Sequence, residues 1–369
     1  FIVFNDQTYP NFIEMLDSIG QPSKDSEMSF SVHTQDQRLE YKASSLNGLF
    51  SQRRNILRPG FHRMIRDILR FNREVVADVS NFGRQMTLGE YLRARSYSKQ
   101  FSADYLVPMI SAIWSAEPGS VFDMPAQFLV RFFSNHGLLQ LSDRPQWRVI
   151  EGGSREYVKR LVAGHRDKIR LGCPVESISR TDTGVELTSR KYGREHFDYV
   201  FVACHSDQAL RLLDEPTKAE RSVLGAIRYQ PNTAVLHTDE TVLPSKRRAW
   251  SAWNYCVPRD QQSHVTVSYN MNILQGLASE KNYIVTLNDE ARIAANKVIR
   301  RIEYDHPMYT LDAIAAQSRQ AEINSERTFY CGAYWRNGFH EDGVVSALHA
   351  LEHFEERLGN AELHLRRAG

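Results

Sequence analysis

The chain has 369 residues, of which 42% are hydrophobic, so it is long enough to bury a sizeable core in two compact domains or two lobes. Its 46 basic and 44 acidic residues leave a formal net charge of +2, which indicates no bulk polyelectrolyte partner such as nucleic acid. The four cysteines lie far apart, without the spacing of a zinc site or a disulfide framework, so we expect no metal and reduced, cytoplasmic thiols.

Apolar residues open the chain and predict a short buried strand from Phe1 to Phe4. A helix from Tyr9 to Ile19 follows, with Thr8 as its expected N-cap. Alternating residues then predict a pair of strands, Met28 to His33 and Arg38 to Lys42. The sequence has no run of about 18 apolar residues, so we expect any membrane contact to involve only the protein surface.

A strongly amphipathic basic helix is predicted from Arg58 to Val76, because its apolar residues follow the 3.6-residue period. Four arginines line the other side, at Arg63, Arg66, Arg70 and Arg73. A solvated face on a packed helix is the favoured interpretation, and contact with an anionic membrane surface is the alternative. Nucleic acid is less favoured, because no aromatic residues interleave with the arginines to stack on bases.

Three more helices are predicted, at 87–95, 101–114 and 125–135, and the last two are rich in aromatic and large apolar residues. We interpret Phe128, Phe132 and Phe133 as core, although a lipid tunnel would use the same residue types. Trp147 to Leu161 then predicts a strand, a glycine turn and a helix. Gly152 and Gly153 supply positive φ for this turn, or let a ligand approach the backbone.

Short strands are predicted next, at Lys168–Leu171, Val175–Ser179, Val185–Thr188 and Tyr199–Ala203, and a helix follows from His205 to Leu213. Strands return between residues 232 and 287 and predict a mixed or antiparallel sheet as the floor of a substrate lobe. One strand places Trp253 and Tyr255 on the same side. A helix is predicted from Tyr309 to Ala321.

The most informative segment lies near the end of the chain. Thr328 to Cys331 predicts a buried strand, and Gly332 and Gly338 bound an aromatic loop. Glu341-Asp-Gly343 opens a helix whose apolar residues recur at helical spacing. Such a helix N-terminus, with a glycine in its first turn, is suited to receive an electron-rich or anionic atom.

This segment resembles the C-terminal flavin-binding signature of the flavin-containing amine oxidoreductase superfamily, which includes monoamine and polyamine oxidases and carotenoid desaturases. Its motifs are most similar to a bacterial subgroup of predicted FAD-dependent oxidoreductases that is often encoded beside cyclopropane-fatty-acyl-phospholipid synthases. The resemblance covers essentially the whole chain. Its motifs are Phe-Ile-Val-Phe-Asn (1–5), Thr-Tyr-Pro-Asn-Phe (8–12), Asn-His-Gly-Leu-Leu (135–139), His-Ser-Asp-Gln-Ala-Leu (205–210), Cys-Gly-Ala-Tyr-Trp (331–335) and Gly-Phe-His-Glu-Asp-Gly (338–343).

The resemblance implies an α/β, two-lobed FAD-dependent oxidoreductase fold, with an incomplete Rossmann-like FAD lobe and a helical, mixed-sheet substrate lobe. We expect residues 1–8, 146–214 and 326–369 to form the FAD lobe, and residues 9–145 and 215–325 the substrate lobe. The sequence has no Gly-x-Gly-x-x-Gly fingerprint, which relatives carry upstream of the position where this chain begins. We therefore expect the first βαβ unit to be missing, and residues 1–369 alone to bind FAD poorly and to be inactive.

The resemblance also implies site residues and non-covalent FAD, since Cys331 departs from any flavin-linking cysteine position. The residues expected to bind the cofactor are Gly152, Gly153, Val175, Ala203, Gly332, Gly338, Phe339, Asp342 and Gly343. His340 and Glu341 are the titratable residues best placed to reach the substrate or the ring, and are the catalytic candidates.

The implied function is oxidation by FAD, as an oxidase, dehydrogenase or desaturase, with the acyl chain of a membrane lipid as the favoured substrate. Amine oxidation is the alternative, in which Tyr334, Trp335 and Phe339 would form an aromatic cage. A third hypothesis is a non-catalytic partner of a lipid-modifying methyltransferase. The expected location is the cytoplasm, with peripheral contact at the inner face of an anionic membrane.

Overall fold

The computed structural model describes residues 3–79, 86–140, 144–258, 266–324 and 327–358. Its strands are β1 (Phe4–Asn5), β2 (Ser23–Asp25), β3 (Phe30–Thr34), β4 (Glu40–Lys42), β5 (Trp147–Ile150), β6 (Val175–Arg180), β7 (Val185–Ser189), β8 (Gly193–Phe197), β9 (Val200–Val202), β10 (Tyr229–His237), β11 (Trp253–Val257), β12 (Thr266–Asn270), β13 (Ile284–Leu287), β14 (Val298–Pro307) and β15 (Thr328–Tyr330).

The helices are α1 (Pro10–Ser18), α2 (Leu46–Leu49), α3 (Pro59–Val79), α4 (Leu88–Ala94), α5 (Lys99–Phe101), α6 (Val107–Trp114), α7 (Ala126–Asn135), α8 (Arg155–Leu161), α9 (Ser206–Leu212), α10 (Lys218–Ala226), α11 (Met271–Gln275), α12 (Leu311–Gln317), α13 (Gln320–Ile323) and α14 (His340–Leu358). A π-helical turn at Ser102–Leu106 joins α5 to α6. Across the described ranges, no helix combines the length and the apolar character needed to cross a membrane.

A seven-stranded mixed sheet forms the largest layer, in the order β14-β10-β13-β12-β11-β3-β4. Only the β11–β3 pair is parallel within it. One face carries Val32, Trp253 and Tyr255, which pack with residues of the helical region in the largest hydrophobic cluster. The predicted mixed-sheet floor and the shared side of Trp253 and Tyr255 are therefore confirmed.

The other strands form three smaller sheets in the described part of the chain. β15 pairs with β9 in parallel, so that Thr328 lies opposite Val200 and Tyr330 opposite Val202. β6, β7 and β8 form an antiparallel meander, and β1, β5 and β2 form a third small sheet. Hydrophobic contacts join β6, β9 and β15 to α10 and α12, which the predicted division gives to the substrate lobe. The lobe boundaries stay a prediction, and Phe1, Ile2 and residues 359–369, which it assigns to the FAD lobe, lie outside the described residues.

Three local predictions differ from the structure. The strand expected at Lys168–Leu171 is wrong: a 3-10 turn ends at Lys168, and Leu171 is exposed without a partner strand. Thr8 is not the N-cap of α1, because its N–H and hydroxyl both donate to Asn5 Oδ1, at 2.8 and 3.1 Å. The helix expected from Tyr309 to Ala321 divides into α12 and α13.

Glu220 links three of these elements. Its buried carboxylate accepts a 2.6 Å hydrogen bond from the Tyr330 hydroxyl on β15 and pairs with Arg180 on β6. Its other oxygen accepts from the Thr217 N–H at 2.8 Å and completes a capping box at the start of α10. One side chain therefore holds α10 against both strands.

We expect Glu220→Ala to lower the free energy of unfolding by about 3 kcal/mol, because Arg180 and the Tyr330 hydroxyl lose their acceptor. Urea denaturation measures this change. Glu215→Gln, at an exposed position five residues earlier, is the matched control and should change stability little. Equal stabilities of the two variants would contradict the linking role of Glu220.

Candidate functional site

The start of the loop between β15 and α14 is held by hydrogen bonds to β9 and to α14. The Cys331 N–H donates to the Val202 carbonyl at 3.1 Å and extends the strand pair by one residue. The Gly332 N–H then donates to Ser346 Oγ at 2.8 Å, which ties the loop to the second turn of α14. A Cβ at Gly332 would lie 2.4 Å from the Tyr334 ring, so glycine is required there.

Gly338 and Phe339 lead directly into α14. Gly338 has φ of +91°, and a Cβ there would lie 2.3 Å from the Tyr309 hydroxyl oxygen. The Phe339 N–H donates to Asp342 Oδ2 at 2.9 Å, which caps the start of the helix. The Phe339 ring stacks on Phe132 of α7, with centroids 5.3 Å apart. The loop is thus pressed between Tyr309 on one side and α7 on the other.

Glu341 binds the N-terminus of α1. Its Oε1 accepts from the Asn11 N–H at 3.2 Å and from the Asn11 amide at 2.6 Å, and its Oε2 accepts from the Phe12 N–H at 2.9 Å. The side chain is buried. Three donors therefore occupy both carboxylate oxygens, and this geometry describes a positioning residue that joins α1 to α14. The predicted catalytic role of Glu341 stays a prediction.

His340 is half-buried at the first position of α14. Its Nε2 lies 3.2 Å from the Tyr157 hydroxyl, and its ring meets the Phe12 ring edge-on at 5.3 Å. Burial lowers the pKa of His340 to about 3. The imidazole is therefore neutral at physiological pH, where it can exchange hydrogen bonds but carries no charge. Its predicted catalytic role also stays a prediction.

In this segment, Asp342 is the carboxyl group whose surroundings most disfavour the charged form. Burial raises its pKa to about 6, although the Phe339 N–H and Arg336 both favour the ionised form. Arg336 Nε lies 3.6 Å from Asp342 Oδ1. The group titrates near neutrality because one exposed arginine and the helix N-terminus only partly offset the cost of burial.

Two cavities meet at this loop. The larger, of about 1320 Å³, lies between α7, α12 and the first turns of α14. The smaller, of about 460 Å³, lies between the start of α1 and the residues Phe339, Glu341 and Asp342. Both cavities are lined by Asn135, Arg336 and Asn337. A ligand at the start of α14 can therefore extend from one cavity into the other.

The remaining predicted cofactor residues lie in two places. Ala203 follows β9 and Gly332 follows β15, so both leave the parallel strand pair at its carboxyl edge, where α/β sheets bind ligands. Val175 lines a groove of about 570 Å³ together with Ala203. Gly152 and Gly153 have φ of +78° and +90° and form the turn before α8, whose Tyr157 contacts His340.

Several residues at the site carry no sequence signal that would have singled them out. Tyr309 is buried, stacks on Phe128 at 5.1 Å, and holds its hydroxyl over Gly338. The Trp114 indole donates to the Asn337 carbonyl at 3.1 Å. Arg131 projects from α7 into the larger cavity. Tertiary packing, rather than a motif or spacing, brings these side chains to the loop.

The aromatic cage proposed for an amine is wrong in this structure. Tyr334 and Trp335 contact each other at 5.1 Å and belong to the hydrophobic cluster around β15, α10 and α12. Phe339 instead contacts Phe132 and His136. Phe339 therefore packs in a different cluster from Tyr334 and Trp335, and the three rings do not surround one space.

Solved structures with this architecture are oxidoreductases and related enzymes. Putrescine oxidase bound to putrescine superposes with a TM-score of 0.64 at 11% identity, over 95% of this chain and 87% of that one. A fatty acid isomerase from P. acnes that produces CLA gives 0.65 at 12%, over 96% and 86%. Cyclohexylamine oxidase from Brevibacterium oxydans gives 0.62 at 12%, over 97% and 87%. The fold is that of the two-lobed FAD-dependent oxidoreductases.

The sequence makes the assignment more specific. Residues 1–271 match the model of the flavin containing amine oxidoreductases, so the chain belongs to that family. No curated protein matches the sequence significantly. The predicted family and enzyme class are therefore confirmed: the protein is a flavin-dependent oxidoreductase, and its cofactor is FAD.

The start of α14 fits the flavin end of FAD. Several buried donors in the described part of the chain lack a hydrogen-bond partner, and those in or beside the loop before α14 include the Tyr309 and Tyr334 hydroxyls and the Trp335 indole N–H. The first N–H groups of a helix also have no partner within it, and a Cβ at Gly343 would meet nothing within 4 Å. Such donors match the carbonyl oxygens and ring nitrogens of a flavin.

We expect Glu341→Ala to lower the free energy of unfolding by about 3 kcal/mol, since it leaves the Asn11 and Phe12 N–H groups without their acceptor. Chemical denaturation provides the measurement. Glu14→Gln, on the exposed face of α1, is the control and should change little. Unchanged stability of Glu341→Ala, combined with slower flavin reduction, would support a catalytic role instead.

Asp342 should make stability depend on pH. Its pKa rises from an ordinary 3.8 to about 6 in the folded protein, so the folded state binds the proton more tightly. Its contribution to stability is therefore greatest below the unfolded pKa and is lost as the pH rises through the folded pKa. The free energy of unfolding of Asp342→Asn, measured relative to that of the parent, should therefore increase by about 2 kcal/mol between about pH 4.5 and about pH 7.5.

Urea unfolding at the two pH values tests this expectation. Asp312→Asn, at an exposed carboxyl group on α12, is the control, and its stability relative to the parent should stay nearly constant. A constant difference for Asp342→Asn as well would show that Asp342 is ionised normally in the folded protein.

Proposed function

We propose that the protein oxidises an acyl chain that carries an anionic group, with FAD bound non-covalently. The observation that carries this proposal is the lining of the larger cavity. Its apolar lining includes Phe128, Phe132, Leu311, Ile314 and Trp335, beside uncharged polar side chains such as Gln127, Asn135 and Gln317. Its charged groups are Arg131, Arg336 and a single carboxyl group, Asp312. This combination suits an apolar chain with a carboxylate or phosphate more than an ammonium group.

Each part of the site has a role in this reaction. When bound, FAD supplies the hydride acceptor for the substrate C–H bond. Arg131 would hold the anionic group of the substrate, while Phe132 and Phe339 form an apolar wall beside the loop. The N-terminus of α14 would stabilise negative charge on an electron-rich ring. The Cys331 thiol packs with Phe329 and Ala350, which supports a non-covalent cofactor.

The fold also serves the proposed substrate class, since a fatty acid isomerase shares it. Amine oxidation is the competing function, and the separation of Phe339 from Tyr334 and Trp335 disfavours it. A lipid-modifying methyltransferase is a candidate partner under this proposal, because the two enzymes would act on the same acyl chains. Co-purification of the two proteins would test this partnership.

Bleaching of the flavin absorbance of the FAD-loaded protein under anaerobic conditions tests the function directly. We expect fatty acids or anionic phospholipids to bleach the flavin, and primary amines or polyamines to leave it oxidised. Bleaching by amines alone would assign the protein to amine oxidation.

Arg131→Gln should raise the KM for the acyl substrate about tenfold, which corresponds to the loss of one charge-assisted hydrogen bond, and should leave the flavin content unchanged. Steady-state kinetics and the ratio of flavin to protein absorbance measure these two effects. Arg221→Gln, at an exposed position on α10, is the control. Loss of flavin from Arg131→Gln would show that this arginine binds the cofactor.

A further inference from the structure

The outer face of α3 forms a continuous surface stripe. The helix spans 21 residues and buries Phe61, Met64, Asp67, Phe71 and Val75. Its exposed side chains include His62, Arg66, Leu69, Arg73 and Val76. These follow the spacing i, i+4, i+7, i+11 and i+14, which places them on one line along the helix. Arg63 lies one position from this line and is also exposed. We call these six residues the α3 stripe.

No acidic residue interrupts the α3 stripe, although α3 contains three. Asp67 is buried and accepts from the Ser98 N–H at 3.0 Å. Asp78 pairs with Arg95, and Glu74 pairs with Arg73 of the stripe at 3.2 Å. Within the described part of the chain, Arg63 and Arg66 form no ion pair. The chain as a whole is nearly neutral, at +2, so the stripe is a local concentration of positive charge.

The same surface exposes aliphatic side chains. Leu69 and Val76 lie within the stripe and are 47% and 52% exposed. The turn before α3 adds Ile56 and Leu57, which are 49% and 87% exposed. The His62 Nε2 atom lies 2.7 Å from the Ile56 carbonyl oxygen, which holds this turn beside the stripe. Arginines interleaved with exposed aliphatic side chains are typical of helices that lie at a membrane interface.

Arg70 differs from the other arginines of α3, because its side chain packs against neighbouring residues. Its guanidinium lies 4.0 Å from the Tyr97 ring centroid and donates to the Arg95 carbonyl at 2.9 Å. This arginine therefore belongs to the packing of α3 against its neighbours. Arg63 and Arg66 remain available to a partner, and Arg73 pairs with Glu74 but is 78% exposed, while the large side chain of the stripe between Arg66 and Arg73 is the aliphatic Leu69. Single-stranded nucleic acids are bound largely through aromatic rings that stack on bases, whereas lipid headgroups and acyl chains match arginine and leucine.

We propose that the α3 stripe docks the protein on an anionic lipid surface. The arginines meet the headgroups, and Leu57, Leu69 and Val76 enter the interfacial layer. None of these residues lines the two cavities at the start of α14. The proposal is therefore independent of the substrate, and it holds whether the enzyme oxidises acyl chains or amines.

Sedimentation with phosphatidylcholine vesicles, with and without phosphatidylglycerol, tests the proposal at low salt. The protein should bind only the anionic vesicles, and added salt should weaken binding. The triple variant Arg63→Gln, Arg66→Gln and Arg73→Gln should bind on the order of a hundredfold more weakly, at about fivefold for each arginine. Failure of the parent protein to bind anionic vesicles, or unchanged binding by this variant, would overturn the proposal.

A matched control separates position from net charge. Arg190, Arg194 and Arg247 are largely exposed outside α3, and replacing all three by glutamine removes the same charge. This control should bind vesicles like the parent. If it loses as much binding as the stripe variant, net charge rather than the α3 stripe governs binding, and the docking surface is wrong.

A second variant separates lipid from other polyanions. Leu57→Ser, Leu69→Ser and Val76→Ser keep the charge but remove the aliphatic side chains, so vesicle binding should fall at least tenfold. Thermal unfolding confirms that these exposed substitutions leave the fold intact. Unchanged vesicle binding, particularly with binding to duplex DNA of equal strength, would identify a general polyanion-binding face and contradict the proposal.

Discussion

The carboxylate of Glu341 holds together the N-termini of two helices. Glu341 is the second residue of α14, and it accepts hydrogen bonds from the backbone N–H groups of Asn11 and Phe12 in the first turn of α1. Each helix end carries partial positive charge, so the two ends would repel one another without an anion between them. The hydrogen bonds of Glu341 also hold the start of α14 in place, and with it the preceding residues Gly338 and Phe339.

This junction explains why a buried site can accept an electron-rich ring. The backbone N–H groups at the start of α14 face the region where Asp342 and the smaller cavity lie. Burial disfavours ionisation of Asp342, while the Phe339 N–H and Arg336 favour it, and the resulting pKa is near neutrality. Opposing effects therefore act on the Asp342 carboxyl group, which changes its charge near neutral pH. A bound flavin, whose electron density increases on reduction, would add negative charge to this environment.

Local patterns predicted the strand, loop and helix well, because their signals lie within about 30 residues. Gly332 and Gly338 were predicted to bound the loop, and each does so where a Cβ would collide with a tyrosine. The role of Glu341 could not be predicted in the same way. Its partners are about 330 residues away in sequence, and an acidic residue in a helix start gives no sign of a distant helix. The structure therefore adds a positioning contact that the sequence did not predict, and the catalytic role of Glu341 stays a prediction.

The same limit explains the aromatic residues. Tyr334 and Trp335 adjoin the flavin signature, yet both are buried in the cluster beside α10 and α12, where Trp335 also borders the larger cavity. Phe132 was interpreted as core, and this is confirmed because it is buried in the largest hydrophobic cluster, but its ring also stacks on Phe339 beside the larger cavity. A sequence reveals that a residue is apolar and lies on a helix face, but whether that face meets protein or a cavity depends on the partner.

Under the proposed function, α7 contributes side chains that can select the substrate, together with Trp335 and Arg336 of the signature segment. The backbone N–H groups and glycines of the signature suit any flavin and distinguish no substrate. α7 supplies Phe128, Arg131 and Phe132 to the larger cavity, and these differ in size and charge from the polar groups around Asp342. Discrimination requires contacts that favour one substrate over another. Because α7 belongs to the helical region, a change of substrate can arise there without disturbing the Glu341 junction that orients the cofactor end.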